Sequence, residues 1–125
     1  MIFILGGAYQ GKLEFAKGAF GLEDADIFTC TDGQLDFSHK CINELEEFTL
    51  ACVRENRSAV DWFRANEALW QDKILICQDI SGGVVPIEAE MRRWRNETGS
   101  LCQYLASQAQ QVSRIFCGLE QRLKG

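Results

Sequence analysis

Met1–Leu5 is a continuous apolar run that stops at two glycines, and a helical pattern begins a few residues later. A short apolar run closed by Gly6-Gly7 suits a parallel strand buried on both faces. Gly11–Phe20 follows as a helix, with Leu13, Ala16, Ala19 and Phe20 at helical spacing and Gly21 as its stop. A buried strand feeding directly into a helix commits the chain to a layered α/β arrangement, because parallel neighbours need crossover connections.

The rest of the chain continues that alternation. Asp26–Thr31 is a second strand, and Ser38 caps a helix to about Arg54 in which Ile42, Leu45, Thr49 and Val53 recur, with Cys41, Phe48 and Cys52 widening the stripe. Ser58-Ala-Val-Asp61 reads as the start of a further helix carrying Val60, Phe63, Ala65 and Leu69. Lys73–Gln78 is a third strand. Pro86, the single proline, fits the first turn of a long helix with Glu88 and Glu90 near its positive end. The stripe of that helix is Ile87, Met91, Trp94, Leu101, Leu105 and Ala109, and Val112–Cys117 is a fourth strand. The expectation is one domain over residues 1–125: a three-layer sandwich around a small, mostly parallel sheet of about four strands, in the order β-α-β-α-α-β-α-β.

Composition narrows the function classes. A length of 125 residues with 46% hydrophobic and 25% charged residues supports one sizeable core. The net charge of −5 argues against binding nucleic acid through a broad basic patch. No apolar stretch is long enough to span a membrane, and the first residues lack the basic start of a signal peptide. The six cysteines are scattered through apolar runs without a C-x-x-C pair, and His39 is the single histidine, so neither a disulfide framework nor a zinc site is expected. A cytoplasmic protein with reduced thiols follows as the expectation.

The chemical signal lies in the first loop. Gly6-Gly7-Ala8-Tyr9-Gln10-Gly11-Lys12-Leu13 matches G-x-x-x-x-G-K between a strand and a helix. Glycines there let successive backbone N–H groups face one concave space, the helix start adds positive potential, and a lysine reaches the outer phosphates of a nucleotide. The competing reading is a plain glycine-rich turn with an exposed lysine. Leu13 stands where the motif has a Ser or Thr hydroxyl for Mg²⁺, so phosphate binding is better supported than transfer. Asp79, at the carboxyl end of the third strand, is the remaining candidate metal ligand, or else a cap for the turn after it.

Three blocks together resemble a known family. The first is Gly6-Gly7-Ala8. The second is Asp79-Ile-Ser-Gly83-Gly-Val-Val-Pro86 with Arg92-Arg-Trp-Arg95-Asn-Glu-Thr-Gly99 and Gln103 in the next helix. The third is the closing segment from Cys117 to Lys124. They are similar to adenosylcobinamide kinase/adenosylcobinamide-phosphate guanylyltransferase, a nucleotide-dependent enzyme of cobalamin biosynthesis. The resemblance covers the first 20 and last 52 residues and implies a nucleotide-binding α/β fold. It places Gly6, Gly7, Ala8, Tyr9, Gln10, Gly11, Lys12 and Leu13 around GTP or ATP, with Mg²⁺ as cofactor, and Arg92 and Arg95 on the helix that follows. The chain departs from the family at Leu13, Gln78, Asp79, Ser81, Asn96 and Cys102.

The middle of the chain lacks the family's guanylyl-accepting histidine motif. His39 lies in the corresponding half, where a neutral imidazole is a candidate nucleophile and a solvent-facing side chain is the plainer alternative. Arg92, Arg93 and Arg95 read either as phosphate contacts or as a solvated helix face. Glu44, Glu46 and Glu47 read as a solvated face, and Trp62, Trp70 and Trp94 as core or interface. The resemblance implies a kinase acting on adenosylcobinamide, without guanylyltransferase activity. Two alternatives stand beside it: a non-catalytic nucleotide- or corrinoid-binding accessory protein, and a subunit completed by an identical or different partner chain.

Overall fold

A computed structural model describes residues 1–80 and 88–125. Pro86, Gly83, Ser81 and Ile87 lie outside the described residues. The six strands are β1 (Ile2–Gly6), β2 (Ile27–Thr29), β3 (Cys41–Asn43), β4 (Ile74–Gln78), β5 (Gln111–Phe116) and β6 (Leu119–Lys124). They form one sheet in the order β2-β3-β4-β1-β5-β6. β1 sits inside it, parallel to β4 on one side and to β5 on the other. β2 and β3 continue the parallel set beyond β4, and β6 alone runs antiparallel, against β5.

Five helices cover the sheet: α1 (Lys12–Phe20), α2 (Leu45–Arg54), α3 (Ala59–Ala65), α4 (Glu67–Trp70) and α5 (Ala89–Gln108). Strand side chains alternate between two cores, as the period of two requires. Phe3, Ile42, Leu75 and Cys77 join Leu45, Phe48, Phe63, Leu101 and Leu105 beneath α2, α3 and α5. Ile4, Cys41, Ile74, Ile76 and Ile115 meet Ala16 beneath α1. The α/β sandwich with a mostly parallel sheet is therefore as the sequence implies, with two more strands than expected.

Three expectations need correction. The helix expected from Ser38 to Arg54 is instead a strand followed by a shorter helix. Cys41 and Ile42 pair with Ile74 and Leu75 and are fully buried on opposite faces. Ser38 is not a helix cap: its amide and hydroxyl both donate to Asp36, at 2.9 and 2.6 Å. A strand of three residues is too short to display its own period. Ile42 and Leu45 look like one helical stripe because both enter the same core.

The second correction is the helix begun at Ser58. The cap is present, with Ser58 Oγ accepting from the Asp61 amide at 3.2 Å. The helix nevertheless breaks at Asn66 into α3 and α4. Trp70 explains the break: it is buried, and its indole N–H donates to the Phe63 carbonyl at 2.8 Å, taking over an acceptor at the end of α3.

The third is β6, which was not foreseen. Cys117 and Gly118 both have positive φ, 50° and 76°, and together form the two-residue turn that joins antiparallel β5 and β6. That pair of positive φ values is the signature of a type I′ hairpin, whose twist matches the strands.

Smaller adjustments leave the scheme intact. β2 is shorter than Asp26–Thr31 and follows a 3-10 turn at Asp24–Asp26. Gly21 ends α1 in the left-handed conformation, as expected. All six cysteines are free thiols, four of them buried. Among the described residues no helix is long and apolar enough to cross a membrane.

Candidate phosphate-loop cleft

The loop after β1 owes its path to three positions. A side chain at Gly6 would place Cβ 2.6 Å from the Ile115 carbonyl oxygen, so the strand's last residue must be glycine. Tyr9 and Gly11 hold positive φ, 58° and 88°, and carry the chain over the start of α1. Gly11 is the first helix-capping residue, and no side chain satisfies the leading N–H groups of α1. Those donors face the same space as the loop and are open to an anion.

Tyr9 is fully exposed while holding a conformation unfavourable for a side chain of its size. The loop tolerates this because Gln10 is tied down beside it. The Cys117 amide donates to Gln10 Oε1 at 2.6 Å, and the Gly118 amide donates to the Gln10 carbonyl at 2.8 Å. The β5–β6 turn is thus the outer support of the loop. Gly6→Ala forces Cβ into backbone that cannot yield, and a loss of about 2–3 kcal/mol in unfolding free energy is expected. A urea titration with an unchanged slope checks it.

Lys12 begins α1, and its ammonium reaches back across the loop to donate to the Gly7 carbonyl at 2.7 Å. It faces a cleft of about 400 Å³ lined by Ala8 to Glu14 along the loop, and across it by Asn43, Glu44, Glu46 and Gln78. That volume falls within the ordinary range of small-ligand sites. The far wall is where β3 and β4 end, the carboxyl edge at which open α/β sheets bind ligands.

Glu46 is the residue the sequence reading missed. It is not on a solvated face: its relative exposure is 6%, in the first turn of α2. The Gln78 amide donates to its Oε1 at 2.9 Å. Burial raises its carboxyl above the ordinary value, opposed by the Gln78 amide and, more weakly, by the charge of Lys12.

A buried polar network fixes this residue. The Glu46 carbonyl accepts from the Trp94 indole at 2.8 Å and from the Thr49 hydroxyl at 2.9 Å. Thr49 and Thr98 share a 2.6 Å hydrogen bond, which ties α2 to α5. Glu44 is exposed and Glu47 is half-buried, so the three glutamates divide between cleft and surface. The signal for Glu46 was available in principle: once Cys41–Asn43 is a strand, the residues just after it belong to the carboxyl edge.

The remaining candidates are placed as follows. Ala8, Tyr9, Gln10, Gly11, Lys12 and Leu13 line the cleft, with Gly6 and Gly7 at its base. Leu13 packs against the core beneath α1. Asp79 follows β4, and its amide donates to the Gly6 carbonyl at 2.8 Å, so it adjoins the loop without being among the residues that line the cleft.

His39 precedes β3, at the opposite edge of the sheet from Lys12, roughly 15 Å away by strand length. It contacts Ser38 Oγ at 3.4 Å and Asp36 at 3.6 Å, and its ring lies against Phe28. Arg92 and Arg95 lie in the first half of α5 and do not line the cleft. Arg93, beside them, donates to the Val53 carbonyl at 2.6 Å, at the negative end of α2. Among the described residues no three His, Cys, Asp or Glu side chains converge into a metal cage.

A family model described as cobinamide kinase / cobinamide phosphate guanyltransferase matches residues 41–123, about two thirds of the chain. The match runs from the start of β3 into β6, so it takes in Glu46, Gln78 and the whole of α5, while the glycine loop precedes it. No curated protein matches the chain. The loop geometry and the matched segment meet in one cleft, and the chain belongs to the cobinamide kinase / cobinamide phosphate guanyltransferase family, whose place is in cobalamin biosynthesis.

Proposed function

We propose that the cleft binds a nucleoside triphosphate, GTP or ATP, and directs its γ-phosphoryl group to the hydroxyl of a cobinamide-type corrinoid. The observation that carries this reading is the buried Glu46 carboxylate facing the same cleft as Lys12. Lys12 exchanges the Gly7 carbonyl for phosphate oxygens, and the uncapped N–H groups of α1 hold the rest of the phosphate chain.

In the transfer, the acceptor oxygen forms a bond to the γ-phosphorus as the bond to the bridging oxygen breaks. The nucleoside diphosphate leaves, and the acceptor's proton passes to Glu46. A carboxyl raised by burial is a better proton acceptor at neutral pH than an exposed one. Mg²⁺ fits as a companion of the nucleotide rather than of a protein cage, because it binds well to phosphate oxygens plus one carboxylate, for which Asp79 is the candidate. Its chemistry would be to neutralise charge on the phosphates.

His39, across the sheet from the loop, takes no part, and the guanylyltransferase activity of the family is absent from this chain. The test is incubation with GTP or ATP, Mg²⁺ and cobinamide, followed by mass spectrometry of corrinoid and protein. Phosphorylated cobinamide without covalent GMP on the protein is the expected result. A second reading is favoured by Leu13, which offers the core an apolar side chain where transfer enzymes offer a hydroxyl. It is a binding protein that holds nucleotide without turnover, and tight binding with no loss of γ-phosphate in the same assay would establish it.

A further inference from the structure

The sheet has two unequal edges. β2 ends it on one side with three residues, too short to template another strand. β6 ends it on the other with six residues, all exposed, and among the described strands only β5 pairs with it. Leu119 and Leu123 are 73% and 54% exposed on this edge, and Phe116 of β5 is 59% exposed beside them. A long strand edge with exposed leucines is a template for pairing.

The sequence of β6 indicates what pairs with it. Set antiparallel to a second copy of itself and centred on Gln121, the strand brings Leu119 opposite Leu123 and Glu120 opposite Arg122, with Gln121 facing its own copy. Charged residues on an edge ordinarily discourage association by placing like charges together. Here every charged cross-pair joins opposite signs, which favours antiparallel neighbours. The arrangement closes under a two-fold axis, because each copy supplies the same residues to the other.

The strand is also held ready for a partner. Arg122 donates to Glu120 Oε2 at 2.7 Å, and the Ser113 hydroxyl donates to the same oxygen at 2.6 Å. Lys124 caps the end of α5 by donating to the Ala106 and Ser107 carbonyls, both at 3.1 Å. These bonds fix the strand against β5 and α5 and leave its outer backbone edge unused by the described strands.

We propose that two copies of this chain pair through β6 about Gln121 and form a continuous sheet across a two-fold axis. The test is sedimentation equilibrium on the full chain and on two charge reversals. The wild type is expected to dimerise. E120K sets cations opposite cations and R122E sets anions opposite anions, and each is expected to raise the dimer dissociation constant about ten-fold or more. An equimolar mixture restores both attractive pairs and is expected to return to near the wild-type constant.

Leu119→Lys leaves Glu120, Arg122 and Ser113 untouched and is expected to weaken the dimer as well; it carries the test if a charge reversal fails to fold by circular dichroism. A wild type that stays monomeric up to about 100 µM overturns the proposal. So does a trimer, or a dimer indifferent to these substitutions.

Discussion

Lys12→Ala lowers the affinity for GTP or ATP about 100-fold and leaves the fold intact. The expectation follows from what the ammonium does without a ligand. It spans the loop to a carbonyl oxygen at 2.7 Å, in partly buried surroundings, and is the single cation between Gly6 and Leu13. A phosphate in the loop replaces that neutral acceptor with a charged one, and charge-assisted bonds of this kind are the strong ones. Removing one partner of such a pair costs a few kcal/mol of binding, hence the factor of about 100. Stability changes little because the lost bond joins two parts of one loop. Calorimetric titration of each nucleotide, with and without Mg²⁺, checks it. Equal binding by wild type and variant would reduce the loop to a structural turn.

Glu46→Gln is expected to act in opposite directions on transfer and on stability. If the carboxylate takes the acceptor's proton, its amide replacement cannot, and the rate falls about 100-fold or more. The fold should gain. Burial holds the Glu46 carboxyl above its ordinary value near 4.5, so the folded state binds its proton more tightly than the unfolded state does. Such a group favours folding below 4.5 and loses that contribution as pH rises through its raised value. Glutamine keeps an oxygen for the Gln78 amide and carries no charge to bury. Its melting temperature should therefore exceed that of the wild type at about pH 8, and the difference should close as pH falls toward 4.5. Thermal melts across that range check it; a constant difference would mean that charge burial is not its cause.

The parts of the fold legible in the sequence are those where local and tertiary preferences agree. Met1–Leu5, Lys73–Gln78 and Val112–Cys117 are apolar runs long enough to declare themselves, and they became the three adjacent inner strands β4, β1 and β5. The loop was legible for the same reason, since its glycines answer local backbone demands. Cys41–Asn43 was not, because three residues carry no period and their burial is decided by Ile74 and Leu75, far along the chain. Glu46 was hidden with it: a glutamate beside two others reads as surface until the strand before it is known. β6 went unread because none of its residues is buried, so its alternation of apolar and polar side chains marks no core.

The position of β1 has a consequence for the order in which the molecule can assemble. Ile2 is among the first residues made, yet its two neighbours in the sheet are Ile74 and Gln111. The first strand must wait through most of synthesis before either flank exists, and the support that Cys117 and Gly118 give to Gln10 comes later still. Distant pairings of this kind close slowly. A nascent chain halted before residue 111 would expose one side of its central apolar strand and present no finished loop. Competence to bind nucleotide should therefore appear late and abruptly, and until then the strand is a natural client for a chaperone.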